Sequence, residues 1–242
     1  IMREPTIWRW SHTRHHTDTI IVGRDPEIVA MRPPALLTIA LNFFNLVNAP
    51  KAVASVIRHA LGSLSGEEKT FVPESEWPKV HAVARFWVAI WLAVIAACLY
   101  WQSFLPAMLV GPLPTMYGGW FSNMVGLTQH AGLAENVLDH RLNSRTVYMN
   151  PVFRFLYWNM NYHVEHHMFP MVPYHALPRL HERMKNDCPT PYGSTWTAYR
   201  EIIPALWRQR KEPEWFVRRE LPSSARPYRP EFHGEVIAAP AE

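Results

Sequence analysis

Apolar and charged residues are sharply segregated along this chain. Between Arg85 and Glu135 there is no Asp, Glu, Lys or Arg over 49 residues, a run that begins FWVAIWLAVIAACLYW. At ~1.5 Å per helical residue the run reaches roughly 73 Å, about two crossings of a ~30 Å hydrocarbon core. Its first polar or helix-breaking residues are Gln102, Ser103 and Pro106. The pattern predicts a two-span helical hairpin in a membrane, and the alternative is a pair of buried core helices in a soluble protein.

A second uncharged segment, residues 33–50, precedes the hairpin. Asn42, Asn45 and Asn48 recur in it at every third position. In a helix these asparagines form a polar stripe, so the segment is predicted to lie in the membrane interface, or to pack on the helical bundle, rather than to cross lipid alone.

Basic residues flank the two outer ends of the predicted hairpin, whereas its turn has none. They are Lys79, Arg85, Arg141, Arg145 and Arg154. The positive-inside rule then places both outer ends in the cytoplasm. The predicted fold is all-α: a helical integral-membrane domain with a two-span hairpin, an interfacial helix and a cytoplasmic histidine-rich cap.

Composition narrows the classes of protein. The 242 residues carry a net charge of +4 and two cysteines, Cys98 and Cys188, whose spacing fits neither a disulfide framework nor a zinc ribbon. No nucleic-acid-binding motif and no signal peptide are recognisable. We expect residues 1–185 to form the membrane domain and residues 186–242, which are rich in proline and charge, to form a partly disordered cytoplasmic extension.

Histidine is the chemically informative residue, because the pattern HxxHH occurs twice, once on each side of the hairpin. The two sets are His12, His15 and His16, and His163, His166 and His167. On a helix, positions i, i+3 and i+4 share one face, so each set directs three imidazoles into one volume. Imidazole suits Fe, Zn, Cu or Ni, and two facing sets would supply six nitrogen ligands to a binuclear centre.

His130 is a further candidate ligand, since it ends the second predicted span on the same side as both sets. Asp18, Glu135, Asp139 and Glu165 are candidate acceptors for the N–H groups of the ligands, although solvated carboxylates explain them equally well. The remaining histidines are expected to be structural or exposed. They are His59, His81, His140, His175, His181 and His233. Zincin spacing and the Glu-x-x-His pairs of carboxylate-bridged bundles are both absent.

The order of these elements resembles the integral-membrane fatty acid desaturase and hydroxylase superfamily, in particular its bacterial fatty acid desaturases. The resemblance rests on HTRHH, the hairpin, the histidine that follows it and NYHVEHHMFPMVPYHALPRLH, and it covers roughly residues 5–185. It implies a di-iron centre at His12, His15, His16, His130, His163, His166 and His167 on the cytoplasmic side of a bacterial inner membrane. It also implies an oxidoreductase that uses O2 to desaturate acyl chains of fatty acids or lipids, with electrons from a ferredoxin, a Rieske-type ferredoxin or a cytochrome b5-like donor.

The chain departs from the family pattern at its beginning. The family's first box, HxxxH or HxxxxH, has no counterpart in the eleven residues before His12, and residue 1 is Ile. We therefore expect the chain to be the C-terminal part of a longer enzyme. The alternative is a degenerate, non-catalytic paralogue.

Two other functions stay open on the sequence. QHAGL, around His130, resembles a segment of membrane alkane hydroxylases, which favours a di-iron hydroxylase or hydrocarbon oxygenase acting on an alkane or small catabolic substrate. A membrane metal-binding protein without turnover is the third possibility. The basic aromatic stretch 207–220, with Arg218 and Arg219, is a candidate docking site for an acidic electron donor, and a solvated tail or a lipid contact is the alternative.

Overall fold

Helices and turns make up residues 4–226, the part of the chain that the computed structural model describes. Within these residues no β-strand occurs beyond two isolated bridges, Thr146 with Tyr162 and Val147 with Tyr192. The predicted all-α class is confirmed. The helices are α1 (Pro5–Thr17), α2 (Leu36–Asn42), α3 (Asn48–Ala60), α4 (Gly66–Phe71), α5 (Trp77–Tyr100), α6 (Leu105–Leu109), α7 (Leu113–His130), α8 (His140–Asn143), α9 (Pro151–Leu156), α10 (His163–Met168), α11 (Leu177–Met184) and α12 (Thr195–Lys211).

The chain divides into two compact units. The first comprises Ile1–Arg14 and Leu37–Asn123, and the second comprises His15–Leu36 and Met124–Glu242. Residues 227–242, which belong to the predicted C-terminal extension and include His233, lie outside the described residues.

In the first unit, α5 is the helix with the strongest membrane character. Together with the short 3-10 turn before it, α5 forms an apolar helical segment over Glu74–Tyr100, 27 residues with a mean hydropathy of 2.2. Only 6 % of its most apolar window is buried, whereas the core helix of a soluble protein would be mostly buried. Among residues 4–226 this is the one helix with the length and composition of a span.

The predicted helix break in the uncharged run is confirmed. Helix α5 ends at Tyr100, and Gln102 takes a left-handed conformation with φ 49°. Short α6 and then α7 follow. Helix α7 has 18 residues and several polar side chains, so the second span of the hairpin stays a prediction.

The predicted polar stripe at residues 33–50 is wrong, because the asparagines end a helix instead of lining one. Helix α2 stops at Asn42, whose Oδ1 accepts hydrogen bonds from the backbone N–H groups of Val47 (3.2 Å) and Asn48 (3.0 Å). Asn45 is left-handed, φ 50°, and its Nδ2 donates to the carbonyl of Thr115 at 2.6 Å. Asparagine competes for backbone hydrogen bonds in this way, and so it favours turns over helix interiors.

In the second unit, α11 places an apolar face on the histidine-bearing helix α10. Leu177, His181 and Met184 are its buried positions, at the i, i+4 and i+7 spacing of one helical face. Met184 packs with Val164 and Cys188 in a small apolar cluster. This packing covers one side of α10 and leaves its histidines on the other.

The C-terminal part of the second unit is a capped helix followed by an extended segment without helix, residues 213–226. Helix α12 begins at a capping box in which Ser194 and Thr197 exchange hydrogen bonds, and it buries Ala198, Ile202 and Leu206. Residues 213–226 then return along the unit, and Val217 donates its backbone N–H to the carbonyl of Gly132 at 2.9 Å.

Candidate metal centre

Four histidines of the second unit converge from three helices. His15 lies in the last turn of α1, His130 is the final residue of α7, and His163 and His167 lie one turn apart on α10. Their candidate ligand atoms all lie within 4.8 Å of one another. His15, His163 and His167 are buried, and His130 is partly buried. These residues form what we call the four-histidine cluster.

The inner nitrogens of the four-histidine cluster face each other. His163 Nε2 lies 2.9 Å from His130 Nε2 and 3.0 Å from His167 Nε2. The ring of His15 lies 4.8 Å from that of His167 and 5.2 Å from that of His130, centroid to centroid. Such spacing is close to that of nitrogens bound to one metal ion at about 2.0–2.1 Å each.

The outer nitrogens are held by hydrogen bonds that decide where the protons lie. His15 Nδ1 donates to the buried carboxylate of Asp25 at 2.8 Å. His130 Nδ1 lies 2.8 Å from the backbone carbonyl of Asn143, which only accepts, so this nitrogen also carries a proton. With Nδ1 protonated, the neutral imidazole of His130 presents the lone pair of Nε2 to the cluster.

Thr19 fixes the tautomer of a third imidazole, that of His167. Its hydroxyl donates to the carbonyl of His15 at 2.6 Å, so its oxygen is left to accept from His167 Nδ1 at 3.0 Å. His167 Nε2 is then also unprotonated. His163 Nδ1 is buried and has no hydrogen-bond partner among residues 4–226, so no hydrogen bond there sets the tautomer of His163.

The electrostatics of the four-histidine cluster suit a bound cation. Among residues 4–226 the cluster consists of imidazoles and contains no carboxylate. Burial, followed by the repulsion from neighbouring imidazoles, lowers the pKa of His163 and His167 well below the ordinary histidine value. Both side chains are therefore neutral at physiological pH, the form that binds metal. Several lone pairs directed at one volume repel each other unless a cation lies between them, and so the donor set fits a transition metal that accepts imidazole.

A second pair of histidines lies beside this cluster. The rings of His16 and His166 are 4.5 Å apart, and the ring of His16 is 4.4 Å from that of His167. The second unit thus assembles six of the seven predicted ligands in two neighbouring groups. The seventh, His12, lies one turn before His16 on α1, in the first unit, where its ring stacks on Trp8 at 5.2 Å.

The four carboxylates that the sequence suggested have partners other than the four-histidine cluster in the contacts that follow. Asp18 pairs with Arg24 at 2.9 Å, Glu135 with Arg32 at 3.0 Å, and Asp139 with Arg141 at 2.7 Å. Glu165 is fully buried but accepts from His181 Nδ1 and from the Thr146 hydroxyl, both at 2.5 Å. Asp25, Thr19 and the Asn143 carbonyl bind the outer nitrogens of His15, His167 and His130, and the sequence carried no signal for them.

Two histidines that the sequence analysis set aside lie near the centre. The ring of His140 is 5.4 Å from that of His167, and burial, opposed in part by the charge of Asp139, lowers the pKa of His140 to about 4. His181 lies beneath α10, where it binds Glu165 through Nδ1 and the Tyr148 hydroxyl through Nε2 at 2.9 Å. Neither belongs to an HxxHH pattern, so spacing gave no signal for them.

Some of the cations assigned to the membrane flank or to a partner have internal roles. Arg141 and Arg145 are each 1 % exposed and pair with Asp139 and Glu201. Both side chains therefore form internal ion pairs, and the cytoplasmic placement of the outer ends of the hairpin stays a prediction. Arg219 donates to the Tyr192 hydroxyl at 2.7 Å and to the carbonyl of Thr190 at 2.9 Å, whereas Arg218 is exposed.

Comparison with known proteins agrees with this geometry. The family model described as fatty acid desaturase matches residues 1–199. The chain therefore belongs to the fatty acid desaturase family. Searches among curated proteins and among solved structures gave no match.

Proposed function

We propose that this chain is part of an O2-dependent di-iron oxidoreductase that desaturates acyl chains of fatty acids or lipids. The observation that carries the proposal is the four-histidine cluster, whose candidate ligand atoms lie within 4.8 Å of one another while Asp25, Thr19 and the Asn143 carbonyl hold outer nitrogens. Family membership supports the same class of chemistry.

In this proposal His15, His130, His163 and His167 would hold one iron ion, and His16 and His166 would contribute to a neighbouring one. The bound iron pair supplies the activation of O2. The overall reaction converts one –CH2–CH2– unit, O2, two electrons and two protons into –CH=CH– and two waters. The two electrons come from a small redox protein, for which the exposed Arg218 is a candidate contact.

The protein's own residues orient and isolate the ligands. Asp25, Thr19 and the Asn143 carbonyl each keep one imidazole in its metal-binding tautomer and fix the ring plane. Thr19 and Asn143 are 2 % and 0 % exposed, so water does not compete for these hydrogen bonds. Asn143 also donates through Nδ2 to the carbonyl of Thr19, which joins the supports of His130 and His167.

The experiment is iron analysis combined with product analysis. The full-length gene is expressed in a bacterial membrane, purified without chelators, and compared with a His163→Ala, His167→Ala variant. We expect about two irons per chain in the parent, little in the variant, and new double bonds in added acyl substrates only with the parent and a reducing system.

Each contrary result points to another function. An alcohol from the same substrate would move the assignment to a hydroxylase. Zinc, with no O2 consumption in the presence of reductant, would overturn oxidation chemistry and favour a metal-binding protein.

A further inference from the structure

Helix α12 carries a second apolar surface on the side opposite its buried face. Trp196, Ile203 and Trp207 are 71, 51 and 57 % exposed. Positions i, i+7 and i+11 fall within about 40° of each other around a helix, so these three side chains form one line about 16 Å long. We call them the outer stripe. The buried residues Ile202, Ala205 and Gln209 lie on the other side.

Cations border the outer stripe. Arg200, Arg210 and Lys211 are exposed and lie within about 60° of it around the helix. No carboxylate occupies that sector, because Glu201 points inward to Arg145 and Tyr192. An exposed apolar line with tryptophan near both ends and cations alongside is the composition of a helix that lies in a membrane interface.

The backbone supports a hydrated setting rather than a dry one. Pro204 lies inside α12 on its exposed side and has no N–H, so the carbonyl of Arg200 loses its helical hydrogen bond. An unpaired carbonyl is tolerated among water and headgroups but is unfavourable in a dry protein interface or in hydrocarbon. The three cations are likewise better matched by lipid phosphates than by an apolar protein surface.

The stripe continues into a neighbouring aromatic cleft. Trp196 lines an open cleft of about 460 Å³ together with Tyr148, Phe153 and Thr195. Phe155 and Trp158, just beyond Phe153 in the chain, are 80 and 63 % exposed. Exposed aromatic side chains therefore occur both on α12 and on the segment that carries Phe153.

We propose that α12 lies on an anionic lipid surface, with the outer stripe at the depth of the headgroups and with Arg200, Arg210 and Lys211 on lipid phosphates. Most of α12 lies beyond residues 1–199, so the family match does not include this surface. The proposal is independent of the metal centre and of the reaction. It assigns a second membrane contact to a chain that already has one apolar segment at Glu74–Tyr100.

The test is a spin label on the stripe and a matched label off it. The full chain with Cys98→Ala is given either Ile203→Cys or Arg208→Cys and is reconstituted in vesicles of phosphatidylcholine with a minority of phosphatidylglycerol. Arg208 is exposed on the same helix, about 120° from the stripe. Burial raises the pKa of the Cys188 thiol to about 12, so this native cysteine labels slowly, and its protection also reports that the variant is folded.

We expect the label at 203 to collide mainly with O2 and the label at 208 mainly with a water-soluble nickel reagent. Neutralising either Arg200 or Arg210 with glutamine should reduce the docked population by a factor of about 5 in anionic vesicles and leave pure phosphatidylcholine vesicles little changed. Trp196→Cys provides a second label on the stripe if Ile203→Cys does not fold.

Equal nickel accessibility at 203 and 208 in both kinds of vesicle would overturn the proposal. Protection of the label at 203 only after addition of an acidic soluble protein would also overturn it, and would identify a protein as the occupant. Because metal content and substrate conversion are not part of the readout, neither result depends on whether the chain is a desaturase.

Discussion

Both units bury histidines, but the two groups use their nitrogens in opposite ways. In the first unit, His59 is 2 % exposed and its Nε2 lies 2.9 Å from the carboxylate of Glu68, which also binds Arg58. In the second unit, the acceptors Asp25, Thr19 and Asn143 lie on outer Nδ1 atoms, and the Nε2 atoms face other Nε2 atoms.

On the proposed function, the ring nitrogen that meets the acceptor distinguishes a structural histidine from a metal ligand. The Glu68 carboxylate accepts a hydrogen bond from Nε2 of His59. This nitrogen therefore directs no lone pair at a metal ion. Among residues 4–226 no carboxylate binds the inner nitrogens of His130, His163 and His167, and a bound cation would satisfy their lone pairs together. Burial alone does not distinguish the two cases, since both groups are buried.

The largest expected effect is the loss of metal when one inner histidine is removed. His130→Ala should reduce bound iron to near background, because three remaining nitrogens lose the ligand that joins α7 to α10. His59→Ala should leave the iron content unchanged, although it removes a more deeply buried imidazole. Elemental analysis of both purified variants provides the measurement, and equal losses in the two would mean that buried histidines act only through folding.

A second prediction concerns the buried pair of Glu165 and His181 beneath α10. His181→Leu leaves the Glu165 carboxylate buried with Thr146 alone, and removing one partner of a buried pair costs about 3–5 kcal/mol. The apparent melting temperature in detergent should fall by roughly 6–20 °C.

The matched control is the double variant Glu165→Met, His181→Leu, which leaves no unpaired charge. It should recover much of the lost stability, because apolar residues often replace a buried ion pair without loss. A double variant no more stable than His181→Leu would show that the pair stabilises α10 by shape rather than by charge.

The third prediction is a pH dependence in the first unit. Burial raises the pKa of Glu68, but hydrogen bonds from His59 and Ser65 lower it by more. The net result is a pKa of about 2 in place of the ordinary 4.5. Because the folded pKa is depressed, the stabilisation is complete above pH 4.5 and is lost as the pH falls towards 2. The shift corresponds to about 3 kcal/mol at most.

Glu68→Gln should remove this dependence while it lowers stability at neutral pH. Acid unfolding of the parent and the variant, followed by circular dichroism in detergent, measures the difference. Parallel acid-unfolding curves in the parent and in Glu68→Gln would contradict the assignment of the depressed pKa to this residue.

The sequence predicted the clustered histidines better than the acceptors that hold their outer nitrogens. HxxHH spacing and His130 identified the members of the four-histidine cluster, and Gln102 identified the end of α5, because both signals are local. Asp25 reaches His15 only because the chain reverses at Ile20, which takes φ 55° and donates its N–H to the same carboxylate at 2.7 Å. No periodicity predicts a β-branched residue in the left-handed region. The support for His130 is a backbone carbonyl, which any residue at position 143 would provide, so residue type carried no signal.

The smallest of the four effects is expected when an outer acceptor is changed and every ligand is kept. Asp25→Asn keeps the shape of the side chain but replaces the charged acceptor for His15 Nδ1 with an amide, which also weakens the bond to the backbone N–H of Ile20. Changes of this kind in other metal sites lower affinity by about 10–100-fold. We expect the metal dissociation constant, measured by competition with a chelator, to rise within that range while the iron content at saturating metal is kept.

Glu68→Gln is the matched control, since it makes the same carboxylate-to-amide change beside the buried histidine of the first unit. It should leave the metal dissociation constant unaltered. If Asp25→Asn and Glu68→Gln weakened metal binding equally, the effect would come from general destabilisation and the contrast between the two histidine groups would fail. If only Asp25→Asn weakened metal binding, the position of the carboxylate would decide which histidines bind metal. In the second unit the carboxylate lies on Nδ1 of His15, and in the first it lies on Nε2 of His59.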